Sequence, residues 1–101
     1  MSKILVFTAT YNEKENIAIL LKKFNNLKIN LDVLIIDDNS PDGTKKVIKN
    51  SSIKKNVILK VRKKKLGLNT AHKFAYKFAK QHKYKKLITL DADLSHDPKE
   101  I

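Results

Sequence analysis

Strand-like apolar runs alternate with helical patterns along this chain, and that alternation limits the fold more than any other feature of the sequence. The order β-α-β-α-β-α-β predicts an α/β domain, in which a parallel sheet carries helices on both faces. We expect the strand order 3-2-1-4, with strand one between strands two and four. The strand-like runs cover residues 4–8, 33–36, 57–61 and 86–90. The helical patterns comprise Ile17, Leu20, Leu21 and Phe24, then Val47 and Ile48, then Ala71, Ala75, Phe78 and Ala79. Thr44 is placed to cap the second of these helices.

Length and composition are those of one domain with a modest core. The chain has 101 residues, of which 42% are hydrophobic. It has no cysteine, which excludes both a disulfide framework and a thiolate metal site. The chain enters its first strand directly, without a long apolar signal region, and no apolar run reaches membrane-spanning length. These features predict a cytoplasmic protein.

The net charge of +12 is carried almost entirely by lysine. Such a charge attracts phosphate-rich partners, including nucleic acid, anionic lipid and nucleotides. A solvated lysine surface with no specific partner is an equally good interpretation. Arginine, the usual residue for reading base edges, occurs only as Arg62, and aromatic residues are few. Sequence-specific binding of nucleic acid is therefore disfavoured.

Polar and acidic residues follow strands one, two and four, in residues 8–13, 37–42 and 91–93. In an open parallel sheet, ligands bind at the carboxyl ends of the strands. Asp42 and Asp97 have the positions of turn and cap residues, whereas a functional role is favoured for Asp38 and Asp93. Seven of the ten acidic residues lie in or next to these segments: Glu13, Asp37, Asp38, Asp42, Asp91, Asp93 and Asp97.

Asp91 and Asp93 are separated by one residue at the end of the fourth strand. On an extended backbone such side chains point the same way, so both carboxylates can bind one hard cation such as Mg²⁺ or Mn²⁺. The alternative is that this acidic segment only starts a helix, since Asp97 is followed by Pro98.

Four segments together carry a family resemblance: residues 10–16 (TYNEKEN), 37–44 (DDNSPDGT), 65–71 (KLGLNTA) and 91–96 (DADLSH). They resemble, in order and spacing, the motifs of dolichyl-phosphate (polyprenyl-phosphate) mannosyltransferases. These are inverting enzymes of glycosyltransferase family two with the Rossmann-like GT-A fold. The chain departs from the family at Ala9, where proline is usual, and at Asn69, where Gly or Ser is usual.

The resemblance implies a set of donor-binding residues. The main chain of Ala9, with Tyr11 and Glu13, would line the nucleoside pocket. Ile36 and Asp38 would hold the base and ribose side. Asp91 would contact ribose and a Mg²⁺ or Mn²⁺ cofactor, and Asp93 would act catalytically through that metal, which bridges the diphosphate. The segment also includes Ala92 in the nucleotide-sugar site and Ser95 as a further metal ligand.

The implied reaction transfers a mannosyl group from GDP-mannose to a dolichyl or polyprenyl phosphate. A lipid phosphate is already anionic, so the reaction needs no general base. His72 and His82 are accordingly interpreted as surface or packing residues, and His96 as either site-adjacent or part of a helix entry. Residues 1–101 resemble only the truncated N-terminal, donor-binding half, and we expect them to be inactive alone. The full-length form is expected at the cytoplasmic face of a membrane.

Two alternatives remain beside this interpretation. One is glucosyl transfer from UDP-glucose to the same lipid carrier. Another is a non-catalytic basic module that binds nucleotide, nucleic acid or anionic membrane with a steep salt dependence. A phosphatase-type Asp-x-Asp motif is set aside, because that pair follows the first strand of its domain and this pair follows the fourth.

Overall fold

Four strands and three helices alternate along the chain in the predicted order. The computed structural model describes residues 4–51, 56–63 and 68–91. The elements are β1 (Ile4–Thr10), α1 (Lys14–Asn25), β2 (Asp32–Asp37), α2 (Thr44–Lys49), β3 (Asn56–Val61), α3 (Leu68–Gln81) and β4 (Lys86–Thr89).

The strands form one parallel sheet in the order β3-β2-β1-β4. The predicted order 3-2-1-4 is confirmed. Every residue of β2 is buried, because this strand has a neighbour on each side and helices over both faces. A fully covered strand reads as a continuous apolar run, which is why residues 33–36 predict it so clearly.

One face of the sheet is covered by α1 and α2. The apolar stripe of α1 has a spacing of three and four residues, which places its members on one side of the helix. That stripe packs on alternate residues of β1 and β2. The buried cluster consists of Val6, Ile17, Leu20, Leu21, Phe24, Leu31, Val33, Ile35 and Ile48.

The opposite face is covered by α3, through alanines spaced four residues apart. Small side chains at that spacing let a helix lie close to a sheet. Phe78 packs against the edge of this cluster, so the predicted shared face of α3 is confirmed. The buried members are Leu5, Phe7, Leu34, Ile36, Ala71, Ala75 and Ala79.

Two local predictions need correction. Ala9 belongs to β1 and not to the following loop, because the ladder continues to its partner Ile36 and beyond. Thr44 does not cap α2. Gly43 holds the N-cap position with φ +91, a left-handed conformation that glycine adopts without strain. The Thr44 hydroxyl instead accepts a hydrogen bond from Glu13 N and donates one to Asp42 Oδ1.

A buried hydrogen bond joins the amino end of the sheet to the segment after α3. The Tyr84 hydroxyl donates to Asp32 Oδ2 at 2.6 Å, and Asp32 is 4% exposed. Burial, with a further contribution from this carboxylate, raises the pKa of Tyr84. The phenol therefore stays protonated and satisfies a carboxylate that would otherwise be buried without a donor.

None of the helices in the described part of the chain has the length and apolar character that a membrane crossing requires.

The two faces of α1 predict opposite responses to truncation. Leu20 is 0% exposed and its neighbour Ile19 is 45% exposed. Leu20→Ala leaves a cavity in the core and should lower the free energy of unfolding by roughly 2–5 kcal/mol. Ile19→Ala should change it by less than about 0.5 kcal/mol. Urea unfolding of both variants measures the difference, and equal losses would contradict the assigned packing of α1.

Candidate functional site

The carboxyl ends of the parallel strands bring several predicted site residues to one edge of the sheet. Ala9 lies near the end of β1 and pairs with Ile36 on β2, and Asp38 directly follows β2. The amide of Leu90 donates to Phe7 O at 3.0 Å, which holds the residue before Asp91 against β1. Ala92, Asp93 and Ser95 lie outside the described residues, so their assigned roles stay predictions.

Arg62 donates two parallel hydrogen bonds to the carboxylate of Asp38. Its Nε donates to Oδ1 at 2.5 Å and its terminal nitrogen to Oδ2 at 2.9 Å. The two side chains are only 15% and 10% exposed. A guanidinium matches a carboxylate in this forked geometry, whereas a lysine ammonium cannot. The pair fixes the orientation of Asp38 at the sheet edge.

The same guanidinium reaches the start of α3, because another of its nitrogens donates to Thr70 Oγ1 at 2.8 Å. Arg62 thus connects the end of β2 to the first turn of the helix that covers that face. In the sequence, Arg62 stands out only as the single arginine of the chain. The missed signal is its position directly after β3, at the same carboxyl edge as the acidic segments.

Asp37 is fully buried and turns away from Asp38, to the face under α1 and α2. Its carboxylate accepts hydrogen bonds from Thr10 Oγ1 at 2.7 Å, from the Ser40 amide at 2.9 Å and from Ser40 Oγ at 2.5 Å. Buried polar groups are stable only when they are hydrogen-bonded. These three donors meet that requirement and bind the end of β1 to the loop after β2.

The loop after β2 also holds three successive amides at the start of α1. Asn12 N donates to Ser40 Oγ at 2.9 Å, Glu13 N to Thr44 Oγ1 at 3.2 Å, and Lys14 N to Asp42 Oδ2 at 3.2 Å. The first amides of a helix have no partner within the helix. Here oxygens from a different loop supply the partners, and Glu13, in the N-cap position, makes no side-chain cap bond.

Asp42 acts as the structural turn residue that the sequence predicts. Its carboxylate accepts bonds from the Thr44 hydroxyl and from the Thr44 amide, the latter at 3.0 Å. The Thr44 side-chain bond, more than the backbone bonds and the charge of Lys14, lowers the pKa of Asp42 against an opposing effect of burial. A carboxylate at this place also interacts favourably with the positive end of α1.

The predicted nucleoside-pocket residues differ in what they can offer a ligand. Tyr11 is 40% exposed, so its ring is accessible. Glu13 is half-buried, and its Oε2 accepts a bond from Asn16 at 3.0 Å. Ile36 is 1% exposed, and it lies inside the sheet between Ala9 of β1 and Lys60 of β3. Ala9 is half-buried beside it.

The described residues supply part of the predicted metal site. Within residues 4–51, 56–63 and 68–91, no group of three His, Asp or Glu side chains is arranged to hold a metal ion. Asp38 accepts two hydrogen bonds from Arg62, and Asp91 is exposed at the end of the sheet. A carboxylate is the oxygen ligand that Mg²⁺ and Mn²⁺ prefer, so Asp91 fits the predicted cofactor.

Two histidines contact aromatic rings. His72 meets the edge of Phe7 with ring centroids 5.2 Å apart, and His82 lies against Phe78 at 4.2 Å. These contacts agree with their interpretation as packing residues.

Comparison with known protein families identifies the family of this chain. Residues 5–101 match Glycosyl transferase family 2. The chain belongs to that family. The matched region contains all four segments that carry the resemblance, including the part beyond Asp91.

Similar proteins within the family carry related names. The chain is 31% identical to polyprenol monophosphomannose synthase of Mycolicibacterium smegmatis, over 98% of this chain and 38% of that protein. It is 34% identical to dolichol-phosphate mannosyltransferase of Pyrococcus furiosus, over 98% and 28%. It is 31% identical to undecaprenyl-phosphate mannosyltransferase of Micrococcus luteus, over 98% and 41%. The chain thus spans well under half the length of these relatives.

Solved structures share the fold at lower identity. The mannosyltransferase PcManGT from Pyrobaculum calidifontis, in complex with GDP-Man and Mn²⁺, superposes with a TM-score of 0.72 at 20% identity, over 90% of this chain and 27% of that one. TarS of S. aureus (residues 1–349) gives 0.76 at 22%, over 92% and 28%. The predicted GT-A fold is confirmed.

Because Asp38 and Arg62 form an ion pair, removal of the Arg62 charge should lower the stability of the chain. Arg62→Gln leaves a largely buried carboxylate without its partner and should lower the free energy of unfolding by about 3 kcal/mol. Lys63→Gln removes the adjacent exposed charge and should cost less than about 0.5 kcal/mol. Adding Asp38→Asn to Arg62→Gln should recover part of the loss in urea unfolding. A double variant with the full sum of both losses would contradict the pairing.

The lowered pKa of Asp42 predicts that the stability of the chain depends on pH. Its folded-state pKa is lowered from the ordinary value of 3.8. Its contribution is therefore present above that value and is lost as the pH falls through the lower folded pKa. Asp42→Asn should destabilise the chain near neutral pH, and the difference from wild type should shrink below about pH 4.

Urea midpoints at a series of pH values measure this difference. Thr44→Val, which removes the strongest cause of the shift, should reproduce part of the effect. A loss in Asp42→Asn that stays constant through the acid range would contradict the assigned pKa shift.

Proposed function

We propose that this chain is the donor-binding part of a metal-dependent, inverting glycosyltransferase that moves a mannosyl group from GDP-mannose to a polyprenyl or dolichyl phosphate. The observation that supports this most is the grouping of Asp38 and Asp91 at one edge of the sheet, in a chain of glycosyl transferase family 2. The similarity to a polyprenol monophosphomannose synthase, a dolichol-phosphate mannosyltransferase and an undecaprenyl-phosphate mannosyltransferase supports the sugar and the acceptor class.

The nucleoside would bind across the ends of β1 and β2. The exposed ring of Tyr11 and the carboxylate of Glu13 supply one wall, and the main chain of Ala9 and Ile36 supplies the floor. Asp38, held by Arg62, presents its remaining lone pairs to donors on the base or ribose. Because Arg62 fixes the carboxylate in advance, little ordering is required when the ligand arrives.

The diphosphate side belongs to the segment after β4. Asp91 and Asp93 would bind Mg²⁺ or Mn²⁺ with Ser95 as a further ligand, and Ala92 would contact the nucleotide sugar. When bound, the cation neutralises charge that develops on the departing GDP. The protein must then bring in a lipid phosphate, which is already a nucleophile at neutral pH. Its anionic charge suits a chain with a net charge of +12, and the membrane surface that presents it would lie on the cytoplasmic side.

A metal-dependent nucleotide titration tests this proposal. Mn²⁺ should tighten binding of GDP to the chain. Asp93→Asn should weaken GDP binding in the presence of Mn²⁺ by about tenfold, because an amide is a poorer ligand for a hard cation. Glu15→Gln, which neutralises an exposed carboxylate on α1, is the matched control and should keep the full gain. Isothermal calorimetry with and without Mn²⁺ measures both.

The same titration separates the proposal from its alternatives. Tighter binding of UDP than of GDP would favour glucosyl transfer from UDP-glucose. Binding that falls steeply with salt and ignores both Mn²⁺ and Asp93→Asn would indicate a basic binding module without a donor site. Equal metal dependence in wild type and Asp93→Asn would remove Asp93 from the ligand set.

A further inference from the structure

The Ser40 hydroxyl lies between a buried carboxylate and a loop amide. It donates to Asp37 Oδ1 at 2.5 Å and accepts from Asn12 N at 2.9 Å. Ser40 is 4% exposed and Asp37 is 0% exposed. The hydrogen bond that Ser40 donates to Asp37 sets the direction of the hydroxyl hydrogen, which leaves an oxygen lone pair available to the Asn12 amide. The buried carboxylate thus acts on the loop through one side chain.

The loop residue that receives this bond has an unusual backbone. Asn12 has φ +55, in the left-handed region that costs energy for any residue with a Cβ atom, although asparagine tolerates it better than most. Residues held in that region persist when the surrounding structure fixes them. Asn12 stands between Tyr11 and Glu13, so its conformation decides where those two side chains point.

Ser40 stabilises a different part of the chain from the other two residues that accept these amide hydrogen bonds. Asp42 and Thr44 hold the amides of Lys14 and Glu13, at the start of α1, where they stabilise the helix end. Ser40 holds the turn before the helix. Thr10 anchors the other side of the same turn, because its hydroxyl donates to Asp37 Oδ1 at 2.7 Å. One carboxylate therefore controls both ends of the segment that carries Tyr11.

We propose that Asp37 and Ser40 are positioning residues for the donor site, which order the left-handed turn at Asn12 and thereby hold Tyr11 and Glu13 ready for the nucleoside. The inference rests on the proposed function, because it assigns Tyr11 and Glu13 to that nucleoside. Neither positioning residue needs to touch the ligand, since both are buried beneath the loop. Their contribution is to remove alternative loop conformations before binding.

The first test concerns the free chain and requires no ligand. Ser40→Ala should increase hydrogen exchange at the Asn12 amide by at least about tenfold, because the acceptor of its hydrogen bond is lost. Ser40→Thr keeps the hydroxyl and should restore protection. Ser51→Ala is the matched control, since its hydroxyl donates to Ile48 O at 2.8 Å at the end of α2. Unchanged exchange at Asn12 in Ser40→Ala would overturn the proposal, whether or not the chain binds nucleotide.

The second test asks whether ordering of the turn reaches the ligand. Ser40→Ala should weaken GDP binding roughly fivefold, and Ser40→Thr should restore it. In a Tyr11→Ala background, the same Ser40→Ala change should cost less than in wild type, at about twofold, because one of the two side chains being positioned is gone. An equal loss in both backgrounds would show that Ser40 acts on general stability, and would overturn the positioning role.

The two tests separate this inference from the proposed function. Fast exchange at Asn12 in Ser40→Ala, together with the expected coupling to Tyr11, supports both. If wild type binds no nucleotide with any metal while Ser40→Ala loosens the turn, the donor site is wrong, and the role of Ser40 as a positioning residue for that site is overturned with it.

Discussion

Two adjacent carboxylates at the end of the central strand β2 leave the sheet on opposite faces, and the arrangement of the whole edge depends on this. Side chains alternate along a strand, so Asp37 and Asp38 cannot share a partner. Asp37 binds Thr10 and Ser40 on the side of α1 and α2. Asp38 binds Arg62, and through it the first turn of α3. Asp38 therefore joins the layer of α3 to the sheet, whereas Asp37 joins β1 to the loop after β2.

The layers themselves follow from periodicity, which is why the sequence predicts them. A run of apolar residues at 33–36 can only be a strand covered on both faces, and the stripes of α1 and α3 fit opposite sides of it. Strands that follow each other in the chain lie side by side as far as β3, which gives the order 3-2-1. The chain then crosses to the other side of β1, where β4 pairs, so the strand order reverses there. Local patterns do not predict the ends of the strands, because β1 extends to Thr10 only through pairing with its neighbour β2.

The contacts that build the site could not be read from local patterns. Arg62 lies 24 residues from Asp38, and Asn12 lies 28 residues from Ser40. Such pairs meet only once the register of β1, β2 and β3 is known. The rule that ligands bind at the carboxyl ends of strands predicts Asp38 and Asp91 as site residues, and applied to β3 it draws attention to Arg62 as well.

The same contacts change the meaning of the acidic edge. Seven carboxylates collect there in sequence, which suggests a large reserve of metal ligands. The structure shows that Asp37, Asp38 and Asp42 already accept internal hydrogen bonds. A carboxylate that holds the fold together cannot move to a cation without giving up those bonds. Much of the acidic edge is therefore committed to internal hydrogen bonds that hold β2 and its loop in place, so the number of carboxylates in the sequence is not the number of available metal ligands.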